Sequence, residues 1–158
     1  MKRLIMIFIT SLVILMSLTA CVNKGSALNG SQTDPVVQYI RIGSGLGSIN
    51  PVLTVISSVN ELEQYYRIFN DGSFREAEYI NAISKYSENY FTNNFLVIIL
   101  LEEPSGSNRH IVKRIDSNSD IVINRLIPEI GTSDMATWNI IIELNNSFKA
   151  EQFQVLFE

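Results

Sequence analysis

The sequence predicts an α+β domain: a mostly antiparallel sheet of about five to six strands, with two helices near the N-terminal side of the domain. Three features carry that expectation. Phe95-Leu96-Val97-Ile98-Ile99-Leu100-Leu101 is the longest apolar run outside the N-terminus, the right length for a buried strand. Trp138, Ile140, Ile142 and Leu144 alternate with Thr137, Asn139 and Glu143, which is the period of a strand. Ahead of residue 95, apolar residues recur instead at helical spacing behind two capping signals.

Residues 36–42 are β-rich and open the domain as a strand. Gly43-Ser44-Gly45-Leu46-Gly47-Ser48 follows. It lacks the Lys-Ser/Thr ending of a phosphate loop and the glycine spacing of a dinucleotide fingerprint, so it reads as a surface loop. Pro51 and a second β-rich run, 52–56, come next. Ser58-Val59-Asn60-Glu61 fits a capping box, in which the Ser oxygen takes one orphan N–H and Glu61 reaches back. Leu62, Tyr65, Tyr66 and Phe69 then form a core stripe, and Asn70-Asp71-Gly72 ends the helix. Ser73-Phe74-Arg75-Glu76 fits a second box, with Phe74, Ala77, Ile80 and Ile83 on the apolar face of a helix fraying after Tyr86. Tyr90 and Phe91 are expected to pack under the sheet. Residues 95–101 are apolar on both faces and take a central place, with helices on one side. Residues 109–116 return antiparallel, and Ser117-Asn118-Ser119-Asp120 supplies a turn. Residues 121–127 form the next strand, 128–135 a structured loop, and 138–144 another strand. Phe153, Val155 and Phe157 alternate with Gln152 and Gln154 as the last one. The implied topology is an antiparallel meander with the helices inserted near its start.

Lys2 and Arg3 make a positive start, and residues 4–18 are apolar except for Thr10, Ser11 and Ser17. Leu18-Thr19-Ala20-Cys21 then resembles the bacterial lipobox. Small residues before the cut suit a signal peptidase, and the thiol accepts a diacylglyceryl group. Residues 1–20 therefore read as a lipoprotein signal peptide, and Cys21 as the lipidation site. Residues 21–35, polar and without periodicity, are a flexible tether, and 36–158 the single domain. Two acyl chains on Cys21, of the palmitate type, would anchor the domain stably where one chain would be marginal. The membrane is thus one partner, and the domain sits on the extracytoplasmic face of the cell membrane.

The chain has 12 basic and 16 acidic side chains; removing Lys2 and Arg3 leaves 10 against 16, or −6. That balance excludes a phosphate-backbone binder, so no nucleic acid is expected as a partner. Cys21 is the one cysteine, which excludes an intramolecular disulfide, a cysteine zinc site and, once acylated, a thiol nucleophile. No cofactor motif is present. Ser105 or Ser107 with His110 and Asp134 supply the residue types of a catalytic triad, but no serine sits in a nucleophile elbow. Adjacent Glu102 and Glu103 point to opposite faces of a strand and cannot act as a carboxylate pair. Glu129 and Asp134 could join His110 around a divalent ion; loop carboxylates more often cap backbone N–H groups. A non-enzymatic binding surface is the favoured reading. Arg109, His110, Arg125, Glu129, Asp134 and Trp138 fall at strand ends and loops and suit recognition of a protein or peptide. The competing reading places Trp138 in the core and pairs Arg125 with Glu129 or Asp134. The alternative function is a small-molecule or metal sensing or carrier domain.

The blocks Leu101-Glu102-Glu103-Pro104-Ser105-Gly106-Ser107-Asn108-Arg109-His110 and Arg125-Leu126-Ile127-Pro128-Glu129-Ile130-Gly131-Thr132-Ser133-Asp134-Met135-Ala136-Thr137-Trp138, with Ile140-Ile141-Ile142-Glu143-Leu144, resemble a family of uncharacterised lipoproteins of Clostridia-type bacteria. That resemblance brings no activity with it. More distantly, the layout is similar to the C-terminal domain of the PrcB protease-complex subunit family, where an apolar strand runs into a Pro-Thr-Gly-Gly-Tyr turn followed by further strands. Pro104, Ser105 and Gly106 match that turn; Ser107 and Asn108 depart from it. The resemblance implies a β-rich fold and a role accessory to an envelope enzyme such as a protease.

Overall fold

Both faces of residues 95–101 are apolar, and a strand of that kind needs cover on each side. The fold supplies it with two different layers. The computed structural model describes residues 35–45, 50–69, 76–148 and 152–158. The expected signal peptide and tether with Cys21, half of the glycine-rich loop, the 70–72 helix stop and residues 73–75 of the second capping box lie outside the described residues.

In chain order the elements are β1 (Val36–Gly43), β2 (Val52–Ile56), α1 (Val59–Phe69), α2 (Glu76–Ile83), α3 (Glu88–Phe91), β3 (Asn94–Glu103), β4 (Arg109–Ile115), β5 (Asp120–Leu126), β6 (Ala136–Asn145) and β7 (Gln154–Phe157). The fold is α+β and mostly antiparallel. The strands form two sheets, ordered β1-β6-β3-β2 and β4-β5-β7. The first sheet is antiparallel throughout. In the second, β4 and β5 are antiparallel, and β7 lies parallel to β5. The expected meander is corrected here: β4 does not return along β3 but crosses into the second sheet. The reason is the double-sided apolarity of β3 and β6. Val97, Ile99, Ile140, Ile142 and Leu144 pack against Val112, Ile115, Ile121 and Ile123 of the second sheet. Leu96, Ile98, Leu100 and Ile141 pack against Leu62, Tyr65, Tyr79, Tyr86 and Phe91 of the helical layer.

The alternation along β6 suggests one wet face, yet both faces are covered. Its polar row is matched to partners in the helical layer and the neighbouring strand. Tyr65 donates to Asn139 Oδ1 at 2.8 Å, and Thr137 donates to Glu102 at 3.3 Å. Glu143 accepts from Lys85 at 2.6 Å, Tyr86 at 3.1 Å and Tyr90 at 3.4 Å. Burial pushes the Tyr65 and Tyr86 hydroxyls far above their ordinary range, so both stay protonated donors.

The α1 cap forms much as its sequence dictates. Glu61 N–H donates to Ser58 Oγ at 3.2 Å, while the Glu61 carboxylate takes the N–H of Ser57, one residue further back than the usual box. Leu62 and Tyr65 are buried as expected. In α2 the buried face is rotated. Ala77 and Ile80 are exposed, and Tyr79 is fully buried, stacked on Tyr66 at 5.7 Å. Tyr79 with Ala82, Ile83 and Tyr86 makes a second helical stripe, and its larger aromatic area wins. The single turn α3 was not expected from the sequence; it places Tyr90 and Phe91 under the sheet.

Candidate functional site

The first sheet has two unlike ends. At one, β1 begins: Val36 pairs with Glu143, and Asn94 with Asn145. At the other, Glu103 pairs with Ala136 and Gly43 with Thr137. An eight-residue strand separates these ends by about 25 Å. The candidate residues gather at the second end.

There the 104–108 turn is bound to the 127–135 loop. Gly106 N–H donates to the Asp134 carbonyl at 2.7 Å. Thr132 N–H reaches Ser105 Oγ at 3.0 Å, and the Ser105 and Ser107 hydroxyls are 2.8 Å apart. A methyl group on Gly106 would collide with the Asp134 carboxylate, so glycine here lets that side chain keep its place. Asp134 in turn receives Arg41 Nη2 at 2.5 Å. Hydrogen bonds from Thr132 and Arg41 hold its carboxyl down at about 2.

Behind the turn lies a buried polar cluster. Glu103 is 0 % exposed. Its Oε2 accepts from Asn108 Nδ2 at 2.8 Å, and its Oε1 meets His110 Nε2 at 2.8 Å. Because a carboxylate only accepts, the His110 proton belongs on Nε2. Burial pushes the His110 pKa down, outweighing the nearby carboxylate, and the imidazole is neutral. Arg125 Nε lies 2.8 Å from the same Oε1, but off the N–H axis; the contact is one of charge more than an aligned hydrogen bond. The edge of His110 meets Trp138 at 5.8 Å between ring centroids. On the outside, the Arg109 guanidinium lies 5.2 Å over Trp138, and its Nη1 donates to the Gly106 and Asn108 carbonyls at 2.8 Å each. The Arg125 guanidinium lies 4.3 Å over Phe157.

The structure therefore brings Arg109, His110, Arg125 and Trp138 together and adds Glu103 and Asn108, which the sequence reading did not include. It separates the rest. Glu129 is on the exposed loop, and Asp134 belongs to Arg41. The expected pairing of Arg125 with Glu129 or Asp134 is replaced by Glu103, because adjacent Glu102 and Glu103 face opposite layers and only Glu103 faces β4 and β5. No triad assembles: His110 is engaged with Glu103, and the two serines with each other. Among the described residues no group of three His, Cys, Asp or Glu side chains converges to hold a metal ion, so the arrangement of His110, Glu129 and Asp134 is not formed.

Two concavities among the described residues bear on function. A cleft of about 450 Å³ opens between Ser107, Arg109, Arg125, Leu126, Ile127 and Pro128. A second, about 410 Å³, lies between β2 and α1, with Tyr65 and Leu100 in its lining. The sequence signal for the second was available: residues 52–56 carry no charge and lead directly into a capped helix. Comparison with family models, with curated proteins and with solved structures finds no match.

Proposed function

We propose that the protein is a lipid-anchored extracytoplasmic module without enzymatic activity, which binds a protein or peptide at the cell surface and serves an envelope enzyme as an accessory. The single observation behind this reading is the open cleft beside Arg109. Among the described residues, Arg109 is held by carbonyls and a ring face, not by a carboxylate. Its charge is thus available to an acidic or carboxylate-bearing partner. Leu126 and Ile127 beside it are exposed, Ile127 at 68 %, and offer apolar anchorage next to the charge. The residues best suited to chemistry, Glu103 and His110, are buried and spent on each other, which favours binding over catalysis. β1 begins at the sheet end remote from the cleft. The accessory role for a protease rests on the likeness of the Pro104-Ser105-Gly106 turn alone.

The test is photocrosslinking in intact cells from a benzoyl-phenylalanine at position 127, with Cys21→Ala to report on the anchor. A discrete adduct that disappears with Arg109→Ala, while the domain stays folded with its melting temperature lowered by no more than a few degrees, supports the reading. Absence of any adduct, or adducts indifferent to Arg109→Ala, refutes it.

A further inference from the structure

We infer that the groove between β2 and α1 is a second binding site, which takes an extended, apolar, neutral-to-basic peptide as an added strand on β2. It is independent of the arginine cleft.

The inference starts from the sheet edge. β2 is the terminal strand of the first sheet, paired on one side with β3 from Val52↔Leu100 to Ile56↔Leu96 without a break in register. Among the described residues nothing pairs with its other side. Edge strands in soluble proteins are ordinarily blunted by charge, bulges or shortness. The other three edges here follow that rule. β1 carries Arg41 and an irregularity between Arg41 and Gly43. β4 carries Lys113 and Arg114 and an irregularity between Val112 and Arg114. β7 is four residues long. β2, Val-Leu-Thr-Val-Ile, has no charge, no proline and no bulge. An open run of backbone donors and acceptors accepts only a partner that is itself extended.

The groove says what side chains that partner carries. Val52, Val55, Ile56, Tyr65, Ile68 and Leu100 make its lining mainly apolar. Val52, Val55 and Ile68 are 47 %, 48 % and 74 % exposed, a cost in water that an apolar ligand removes. Glu61 is the one charged residue in the lining, so a lysine beside the apolar residue is favoured and an acidic residue is not.

The probe is a fluorescein-labelled peptide of alternating valine and threonine with a lysine at each end, titrated by anisotropy into the full chain in detergent. Two versions carry N-methyl groups on alternate amides, one version in each phase. Strand addition predicts that one phase abolishes binding while the other leaves it intact, because only one row of amides faces β2. Val55→Lys and Ile68→Glu should each weaken binding by roughly tenfold or more, the loss expected when one aliphatic side chain forfeits its burial. Both sites are exposed, so circular dichroism and melting should not change. Arg109→Ala should leave the affinity as it was, which separates this site from the cleft. Equal binding of the two N-methyl phases, or no binding of the unmodified peptide, overturns the inference. So does a dimer, by sedimentation, that Val55→Lys dissociates: the strand would then be covered by a second copy.

Discussion

Glu103→Ala is the perturbation that most directly tests the account of the buried cluster. The carboxylate has three partners at 2.8 Å: Asn108 Nδ2 and His110 Nε2 donate to it, and the Arg125 guanidinium sits beside it as a charge. Removing it leaves two fully buried donors without an acceptor, at about 1–3 kcal/mol each. The Arg125 side chain is 29 % exposed and can turn partly to water, so its share is discounted. The expected cost is about 3–5 kcal/mol, a large share of the roughly 5–15 kcal/mol that hold an ordinary domain folded. Urea unfolding followed by circular dichroism should show the midpoint fall with an unchanged slope. Glu103→Gln should recover most of the hydrogen bonding, because Asn108 can turn its unpartnered Oδ1 to the new amide, and lose mainly the charge contact with Arg125, so a cost of about 1–2 kcal/mol is expected. A loss below about 1 kcal/mol for Glu103→Ala would mean that water reaches the cluster and would refute the reasoning.

Three further outcomes follow from single contacts. His110 is buried neutral, with a pKa below its ordinary value. The unfolded chain therefore binds the proton first as pH falls, and stability should decline from about pH 6.5 downward until the folded pKa is reached; the imidazole resonances should show no titration at 6.5. Gly106→Ala should push the Asp134 carboxylate off Arg41, cost about 1–2 kcal/mol, and raise the Asp134 pKa from about 2 toward the ordinary carboxylate range, read by carboxyl NMR. Ser119 holds φ +69° in the turn closed by Ser119 N–H to the Asp116 carbonyl. Ser119→Gly should relieve that conformation and stabilise the domain by about 0.5–1 kcal/mol in thermal melts; a destabilisation would show that the hydroxyl matters more than the backbone.

The element types were legible because period and capping are local. Residues 52–56 form β2 as read, and Ser58 with Glu61 caps α1. What failed was partner choice. Nothing local distinguishes a β4 that returns along β3 from one that crosses to cover its other face. The apolar residues on both faces of β3 were visible, but the need for two covering layers is a statement about the whole domain. The same applies to Tyr79 against Ile80: both fit a helical stripe, and the choice depends on Tyr66 in another helix. At the candidate site, Arg109, His110, Arg125 and Trp138 were found because unusual residues cluster near strand ends. Glu103 escapes that reading because adjacent Glu102 and Glu103 point to opposite faces of a strand and make no carboxylate pair; its burial depends on β4 and β5, residues 109–126, folding over it.

The charged residues here are of two kinds, and the two arginines separate them. Arg125 is tied to a buried carboxylate, so Arg125→Ala leaves Glu103 desolvated without its cation. Even discounted for partial exposure, that loss should reach about 2–3 kcal/mol. Arg109 is exposed, bonds only the carbonyls of Gly106 and Asn108 and stacks on Trp138. Its removal should cost about 1 kcal/mol, the worth of an exposed cation–π contact and of hydrogen bonds from a solvent-facing side chain. The two substitutions remove the same charge from the same cleft, one strand pair apart, since Arg109 faces Leu126 and His110 faces Arg125 across β4 and β5. A partner that reads the charge of the cleft should be lost with either. A partner that requires only the folded turn should be lost with Arg125→Ala and kept with Arg109→Ala. Measuring both melting temperature and capture for each variant therefore tells recognition from support. Equal destabilisation by the two would show that Arg109 belongs to the buried network after all.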